Sequence, residues 1–456
     1  MRFVRVAVAG VLLACLTSVP VAAHAGPAAR GGDCAPEFVI ADPNARQYEQ
    51  AALGAVYTLR IEEEGPPRVR ARLMRPWMPP TPEGPIARAD IDGDGCDDLV
   101  VGSPHLSAGD HPGTPDLGYL PGEDGYVQII WGGTPARGQM DATTVLRPPV
   151  RGRHGHFGWS VAAAAGVVAV GAPHEDAPGV PDAGAVHLFA LADRRVRGAP
   201  RRLAQDTPGV PGDSEDGDLF GWSLAMADLA GAAGVPDLVV GAPYEDDDGG
   251  GRQPDGQGVT HAGAVTLLRD VALPRTPAGT QFRLPSAEGL FGYALAASRS
   301  AGVANLAAGA PGAGAVQLFR GTPGGDPSPL RVLRGPRSYG FSLALAGDDL
   351  AIGAPDEGGG TVTVVPLDGP AEPFVVGGGP GDRFGWSVAG AGYGRLLVGA
   401  PDRGRTGAVA LVPIGGDEIV WFAPGDGTIP EPPSVYGEPR WPHERGVAVD
   451  FGSSVG

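Results

Sequence analysis

Two kinds of short segment alternate along most of this 456-residue chain. One opens on an aromatic residue followed by glycine: FGWS at Phe157, Phe220 and Phe384, FGYA at Phe291 and YGFS at Tyr339. The other is an unbroken apolar run closing on Gly-x-Pro: LVVGSP (99–104), VAVGAP (168–173), LVVGAP (238–243), LAAGAP (306–311), LAIGAP (350–355) and LLVGAP (396–401). After each comes a turn rich in Gly and Asp, then a third run such as GYVQIIWG, GAVHLFAL or GAVTLLRD, and a weaker fourth. Short apolar runs bounded by Gly and Pro predict buried strands rather than helices.

Four such strands in about 60 residues make one antiparallel sheet, and a lone sheet cannot bury both faces. The repeat therefore predicts an all-β fold of sheets stacked radially, a β-propeller of four-stranded antiparallel blades. Six units carry the Gly-x-Pro anchor; in the first, Gly84 stands where the glycine of the aromatic pair belongs, but Glu83 replaces the aromatic. The chain ends give a seventh. FVIADP (38–43) has the shape of a second strand, GAVYTLRI (54–61) of a third and RVRARLMRP (68–76) of a fourth, whereas the C-terminus holds only a first strand, FGSSVG. The expectation is a seven-bladed ring closed by pairing the C-terminal strand with the N-terminal blade, which leaves no open blade edge. Residues 26–456 would form this single domain. Residues 36–80 and 446–456 share the closing blade, and the others span approximately 81–153, 154–217, 218–288, 289–337, 338–381 and 382–445.

The paired anchors resemble FG-GAP repeats, which also build the N-terminal β-propeller of integrin α-subunits and occur in exported bacterial proteins. The resemblance covers essentially everything after residue 25. It implies a seven-bladed propeller, calcium in the turns between first and second strands, and a role in adhesion or ligand recognition.

Composition adds compartment and charge. Arg2 and Arg5, an apolar run from Val6 and the small-residue site Ala23-His24-Ala25 read as a signal peptide over 1–25. Leu12-Leu13-Ala14-Cys15 is a competing lipoprotein attachment site with a poor fit at its second position. The expected localisation is secreted or extracellular, with retention at the cell surface still open. No later segment has the length of a membrane helix, so no membrane insertion is expected after removal of the signal. The net charge of −18 argues against nucleic acid and anionic membranes as partners and for cations or basic surfaces. The absence of lysine fits codon bias in the source genome better than a function. Of three cysteines, Cys15 leaves with the signal. Cys34 and Cys96 each lie just ahead of a second strand, in units that neighbour across the seam. A Cys34–Cys96 disulfide is expected, worth on the order of 4 kcal/mol in the chain-entropy picture; two free thiols are the alternative.

The sharpest chemical motif is DIDGDGCDD, 90–98. Asp90, Asp92 and Asp94 followed by Gly95 match the start of an EF-hand loop, where alternate oxygens converge on one hard cation. The EF-hand continuation fails, since Val101 stands where the bidentate Glu belongs and a strand follows. A shorter frame fits, with Asp98 closing the shell and the Cys96 carbonyl contributing, as the resemblance also implies. One structural Ca2+ is expected, against a merely solvated acidic turn. In the corresponding turns only Asp228 and Asp237 survive, around LAGAAGVP.

Long acidic connections cluster on three adjacent blades: 105–125, 174–182, 206–218 and 244–261. They suggest a ligand-facing sector, with Glu175, Asp176, Asp216, Asp218, Glu245, Asp246, Asp247 and Asp248 as its carboxylates, against simple loop drift. Spacing alone gives weak support for a second cation at His174, Glu175 and Asp176 or at 245–248. Trp159, Trp222 and Trp386 recur at one repeat position, which favours blade packing over a sugar-binding groove. No GxSxG, HExxH or P-loop occurs, and no catalytic residue is assigned. The expected function is therefore non-enzymatic: a secreted, calcium-bearing, monomeric binding module for an unidentified extracellular protein or glycan. The alternatives are an enzyme acting on polysaccharide or phosphoester and a structural surface protein without a specific ligand.

Overall fold

The computed structural model describes residues 85–427 apart from 105–123, 133–142, 151–154, 247–259, 285, 287, 301, 322–324, 369–370 and 417. It also describes residues 37–42, 46–48, 51–52, 55–60, 70–74, 429 and 453–455. The signal segment, Cys34, Asp247, Asp248 and most of the loop 105–125 lie outside these residues.

Six four-stranded antiparallel blades follow one another, each built from consecutive strands. Blade 1 comprises Ile86–Ala89, Asp98–Ser103, Tyr126–Ile130 and Thr143–Leu146. Blade 2 comprises Ser160–Ala164, Val167–Ala172, Ala185–Ala192 and Arg201–Leu203, with the short strand Arg195–Val196 folded back on the end of the third. Blade 3 comprises Ser223–Ala227, Asp237–Ala242, Ala264–Leu268 and Gly279–Arg283. Blade 4 comprises Leu295–Ser300, Val303–Ala310, Ala315–Gly321 and Ser328–Arg334. Blade 5 comprises Ser342–Ala346, Asp349–Ala354, Thr361–Pro366 and Phe374–Gly377. Blade 6 comprises Val388–Gly390, Arg395–Ala400, Ala408–Pro413 and Val420–Phe422.

A further sheet takes strands from both ends of the chain in the order Ser454–Val455, Glu37–Asp42, Ala55–Arg60, Arg70–Met74, with Ile40 opposite Val455 and Ala41 opposite Ser454. Its Ile40, Tyr57 and Val455 pack with Leu397, Val409 and Leu411 of blade 6. The described packing thus gives six blades of consecutive strands and a composite sheet beside the last, in place of the closed ring of seven that the sequence count predicts.

The core lies between blades rather than within any one. Separate apolar clusters join blades 1 and 2, 2 and 3, 3 and 4, 4 and 5, and 5 and 6. This is why the Gly-x-Pro strands are apolar without alternation: sheets cover both their faces, and Val167–Ala172 and Asp237–Ala242 are buried throughout. Fourth strands form the rim, and Ser328–Arg334 is largely exposed.

The two sequence anchors meet at each blade junction. Phe157, Phe220, Phe291 and Phe384 are 0–1% exposed, and burying each ring contributes roughly 1.5–3 kcal/mol. The backbone N–H groups of Phe220 and Phe291 donate to the carbonyls of Ala183 and Ala262 in the preceding blade, both at 3.0 Å. The next residue, glycine, turns back on its own blade: the N–H of Gly221 donates to the Gly241 carbonyl at 3.1 Å, and that of Gly292 to Gly309 at 2.9 Å. Its carbonyl faces the preceding blade. There it accepts the Ser160 or Ser223 hydroxyl at 2.6 Å, or the Ser342 hydroxyl at 2.7 Å. It also sits where a side chain on the preceding Gly-x-Pro glycine would go: a Cβ on Gly241 would lie 2.1 Å from the Gly292 oxygen. Both glycines and the serine are therefore steric and hydrogen-bonding requirements of one junction.

Two substitutions test this. Gly241→Ala forces backbone apart and is expected to cost about 1–3 kcal/mol. Ser223→Ala, which only leaves the Gly292 carbonyl short of a donor, is expected to cost about 1 kcal/mol. Denaturant titration of both variants gives the comparison; a Gly241→Ala protein as stable as wild type would show that the close approach is not required.

Candidate functional site

The antiparallel blades give the propeller two unlike ends. One carries the turns between first and second strands, including 90–97; the other carries the aromatic-Gly entry points and the connections after Gly-x-Pro.

At the first end, DIDGDGCDD forms a tight loop between Ile86–Ala89 and Asp98–Ser103. Asp90 organises it by accepting the Gly93 N–H at 2.8 Å and the Gly95 N–H at 3.0 Å. Gly93 and Gly95 adopt φ of 79° and 88°, which explains glycine at both places. The Asp92 Oδ1 accepts the Asp94 N–H at 3.1 Å, and the Asp94 Oδ1 the Cys96 N–H at 2.8 Å. Asp98 is fully buried, with Oδ2 accepting Ile91 N–H at 2.9 Å and Oδ1 accepting Gly132 N–H at 2.8 Å. Burial lifts its carboxyl to about 6, against the pull of the Gly132 and Ile91 amides and with a further push from the Asp92 and Asp94 charges.

Carboxylate oxygens of Asp90, Asp92 and Asp98 lie within 4.8 Å of one another. Oxygen-only donors at this spacing suit a hard divalent cation such as Ca2+, and these three residues would hold it. Asp94, expected in the same set, is turned elsewhere. Its Oδ2 accepts Arg194 Nη2 at 3.0 Å, while Arg194 Nε donates to Asp92 Oδ2 at 2.5 Å. Nothing in the sequence of blade 1 announces an arginine about 100 residues away. Cys96 is buried; its expected disulfide partner, Cys34, lies outside the described residues. In blade 3, Asp237 repeats the role of Asp98, accepting the Leu229, Ala230 and Asp270 N–H groups.

At the other end, the residue after each aromatic-Gly pair is half-buried, and these rings form one continuous arc. Trp159 and Trp222 have ring centroids 4.8 Å apart, Trp222 and Tyr293 5.5 Å, Tyr293 and Phe341 5.2 Å, and Phe341 and Trp386 4.7 Å. The tryptophans were expected to serve blade packing; their rings meet the ring at the same repeat position of a neighbouring blade at tilted angles, Trp159 on Trp222 and Trp386 on Phe341, while the preceding Phe is buried between the sheets. A second tier surrounds them: His174 beside Trp159, Tyr244 beside Trp222, and Arg383 over the Trp386 ring at 3.9 Å. Carboxylates hold this tier, Asp182 bonding His174 at 3.0 Å and Glu288 bonding His261 at 3.1 Å.

The predicted acidic ligand face needs correction at four positions. Glu175, Asp218, Glu245 and Asp246 are only 6%, 2%, 3% and 8% exposed. Glu175 accepts His187 Nε2 at 2.7 Å and Arg202 Nε at 2.8 Å. Glu245 accepts Arg283 Nη2 at 2.6 Å and the amide of Gln205. These residues follow equivalent Gly-Ala-Pro turns, and each ties its turn to an arginine on the fourth strand of the same blade. Asp246 caps the turn by accepting the His261 N–H at 2.7 Å, and Asp218 accepts the Glu215 N–H at 2.7 Å. Asp176 and Asp216 remain exposed.

A family model described as FG-GAP repeat matches residues 86–130, and a second of the same description matches 146–189. The chain carries FG-GAP repeats. It is 33% identical over 180 residues to the phosphatidylinositol-glycan-specific phospholipase D of Bos taurus, a match covering 37% of this chain and only 19% of that protein. Among solved structures, a candidate 6-phosphogluconolactonase of Bacteroides uniformis aligns at TM-score 0.46 and 11% identity, over 85% of this chain and 99% of that one. The periplasmic gluconolactonase of Pseudomonas aeruginosa aligns at 0.44 and 13%, with the same coverage. Among the described residues, no helix is long and apolar enough to cross a membrane.

The buried acids give opposite pH signatures. Burial alone would raise Glu175, but the hydrogen bonds and charges of His187 and Arg202 outweigh it and hold the carboxyl at about 2. A depressed folded value means stabilisation complete above the free value of 4.5 and lost as the pH falls toward about 2. Burial, then the Glu245 charge, push Asp218 up to about 9 against the Glu215 amide. Its contribution is therefore favourable below 3.8 and lost as the pH rises toward about 9. Asp218→Asn should be more stable than wild type at pH 8 by at least about 1 kcal/mol, with the gain vanishing near pH 4. Glu175→Gln should be less stable at pH 7, the deficit shrinking toward pH 2. Denaturation midpoints across this range check both signs.

Proposed function

We propose that this FG-GAP protein is a secreted, calcium-bearing propeller that binds an extracellular protein or glycan on the end carrying the aromatic arc. The observation that supports this is the run of five half-buried rings from Trp159 to Trp386. Interior packing needs only the Phe of each anchor. The adjoining rings leave partly solvated aromatic area on a rigid scaffold, which suits stacking on sugar faces or apolar side chains. The exposed carboxylates Asp176 and Asp216 are placed to bias that end toward partners that are not anionic. Calcium at Asp90, Asp92 and Asp98 is a structural clamp at the opposite end in this reading, and the molecule is a monomer.

The reading includes a closed ring of seven, with the composite sheet as the closing blade and a Cys34–Cys96 bridge pinning the N-terminal strand. It is supported by the Ile40–Val455 pairing and by the packing of that sheet on blade 6. Removal of residues 451–456 should lower the melting temperature and expose apolar surface to dye; an unchanged melting curve would sink the closure.

The function is tested by probing immobilised extracellular glycans and matrix proteins with the protein from residue 26 onward, in calcium and in chelator. The expected result is saturable binding that weakens at least about tenfold in a Trp159→Ala/Trp222→Ala protein of preserved fold. Binding indifferent to both substitutions would remove the aromatic arc as the recognition surface. Turnover of a polysaccharide or phosphodiester by the purified protein would replace the binding module with an enzyme.

A further inference from the structure

The carboxylates of the 90–98 loop face a cation that is part of the protein, the Arg194 guanidinium. Arg194 sits at the tip of the hairpin between Ala185–Ala192 and Arg195–Val196, where Asp193 and Arg194 adopt φ of 50° and 60°. Positive φ at both central residues produces a tight turn in register with twisted strands, and it sends this tip across the boundary to blade 1. There the guanidinium bonds Asp92 Oδ2 at 2.5 Å, Asp94 Oδ2 at 3.0 Å and the Gly132 carbonyl at 3.3 Å, and lies 5.6 Å from the centre of the Trp131 ring. The Thr144 hydroxyl fixes the tip by accepting the Trp131 indole N–H at 3.0 Å and donating to the Arg194 carbonyl at 2.8 Å.

Arg194 divides the carboxylates. Asp90, Asp92 and Asp98 converge, whereas Asp94 lies outside that group and on the arginine. Asp92 belongs to both sets, and its Oδ1 already accepts the Asp94 N–H. An ion drawing on Asp92 and recovering Asp94 must therefore displace or share the guanidinium, and a positive charge so close opposes a second, divalent one. Blade 3 offers an independent parallel. Its corresponding turn has kept Asp228 and the buried Asp237 but has no carboxylate between them, and Arg299 of blade 4 reaches it, bonding the Asp228 carbonyl and lying 3.4 Å from its carboxylate. An arginine from the following blade thus supplies a positive charge at this turn as well.

We propose that Arg194 is a tethered cation that competes with calcium for Asp92 and Asp94, so that ion binding and the blade 1–blade 2 latch oppose each other. The inference rests on the reading of the 90–98 loop as a calcium site. Arg194 is a tuning residue for ion affinity, and the loop keeps its shape without calcium because the arginine supplies the counter-charge.

The test is a titration of wild-type protein, Arg194→Gln, Arg194→Lys and Asp90→Asn with terbium, read by luminescence sensitised through Trp131, with calcium as competitor. Melting is measured in chelator alongside. In Arg194→Gln, calcium should bind about tenfold more tightly than in wild type, while the melting temperature in chelator falls. Arg194→Lys, which keeps the charge, should stay near wild-type affinity, and Asp90→Asn should lose binding. Equal or weaker calcium binding in Arg194→Gln, with wild type still saturable and Asp90→Asn defective, overturns the competition and leaves the calcium site intact. No saturable binding by wild type or Arg194→Gln overturns both.

Discussion

Everything in this propeller depends on the close approach of one backbone to another at the blade junction. The Gly-x-Pro strand of one blade and the aromatic-Gly pair of the next meet where a Cβ would lie 2.1 or 2.2 Å from a carbonyl oxygen, at Gly102, Gly171, Gly241, Gly309 and Gly353. That spacing lets the ring of Phe157, Phe220, Phe291 or Phe384 sink fully between sheets. It also places the following glycine carbonyl within reach of the Ser160, Ser223 or Ser342 hydroxyl. Sterics, apolar burial and hydrogen bonding are satisfied at one point and reinforce each other because none can form at the wider separation that side chains would impose.

The same junction makes the two ends of the propeller unlike. Because Phe takes the interior position, the residue after the glycine is left at the mouth, and aromatic residues there meet their counterparts one blade away. The arc is thus a consequence of the repeat's geometry before it is a surface that a ligand could use. At the opposite end, the first-to-second-strand turns lie clear of the aromatic end, so their chemistry can diverge. Blade 1 keeps a full acidic series, and blade 3 keeps its buried Asp237 as a backbone acceptor. The shared requirement at both turns is counter-charge and amide satisfaction; an ion is one way to meet it and a neighbouring arginine is another.

Acidic composition carries less surface information than it suggests. Glu175 and Glu245 look like members of exposed acidic loops, yet each is drawn inward by an arginine of its own fourth strand, Arg202 or Arg283. Burying a carboxylate this way costs desolvation, which the paired guanidinium and an added donor, His187 or Gln205, offset. Asp218 lacks comparable relief from Glu245 nearby, and its carboxyl is held well above the usual range. Two residues in one connection, Asp216 exposed and Asp218 buried, differ only in which way the turn directs them.

The sequence by itself determined the strands, their order within each blade and the radial stacking, because an apolar run ended by Gly-x-Pro admits few other structures and recurs six times. It also singled out Asp90, Asp92 and Asp98, whose spacing within one turn is a local property of the backbone. It did not reveal Arg194, the inward turn of Glu175 and Glu245, or the joining of Trp159 to Trp386 into an arc. Each of these depends on side chains brought together from different strands or different blades. Local patterning encodes which face of a strand is buried, whereas the distance between two charged or aromatic groups far apart in the chain exists only after the blades have packed.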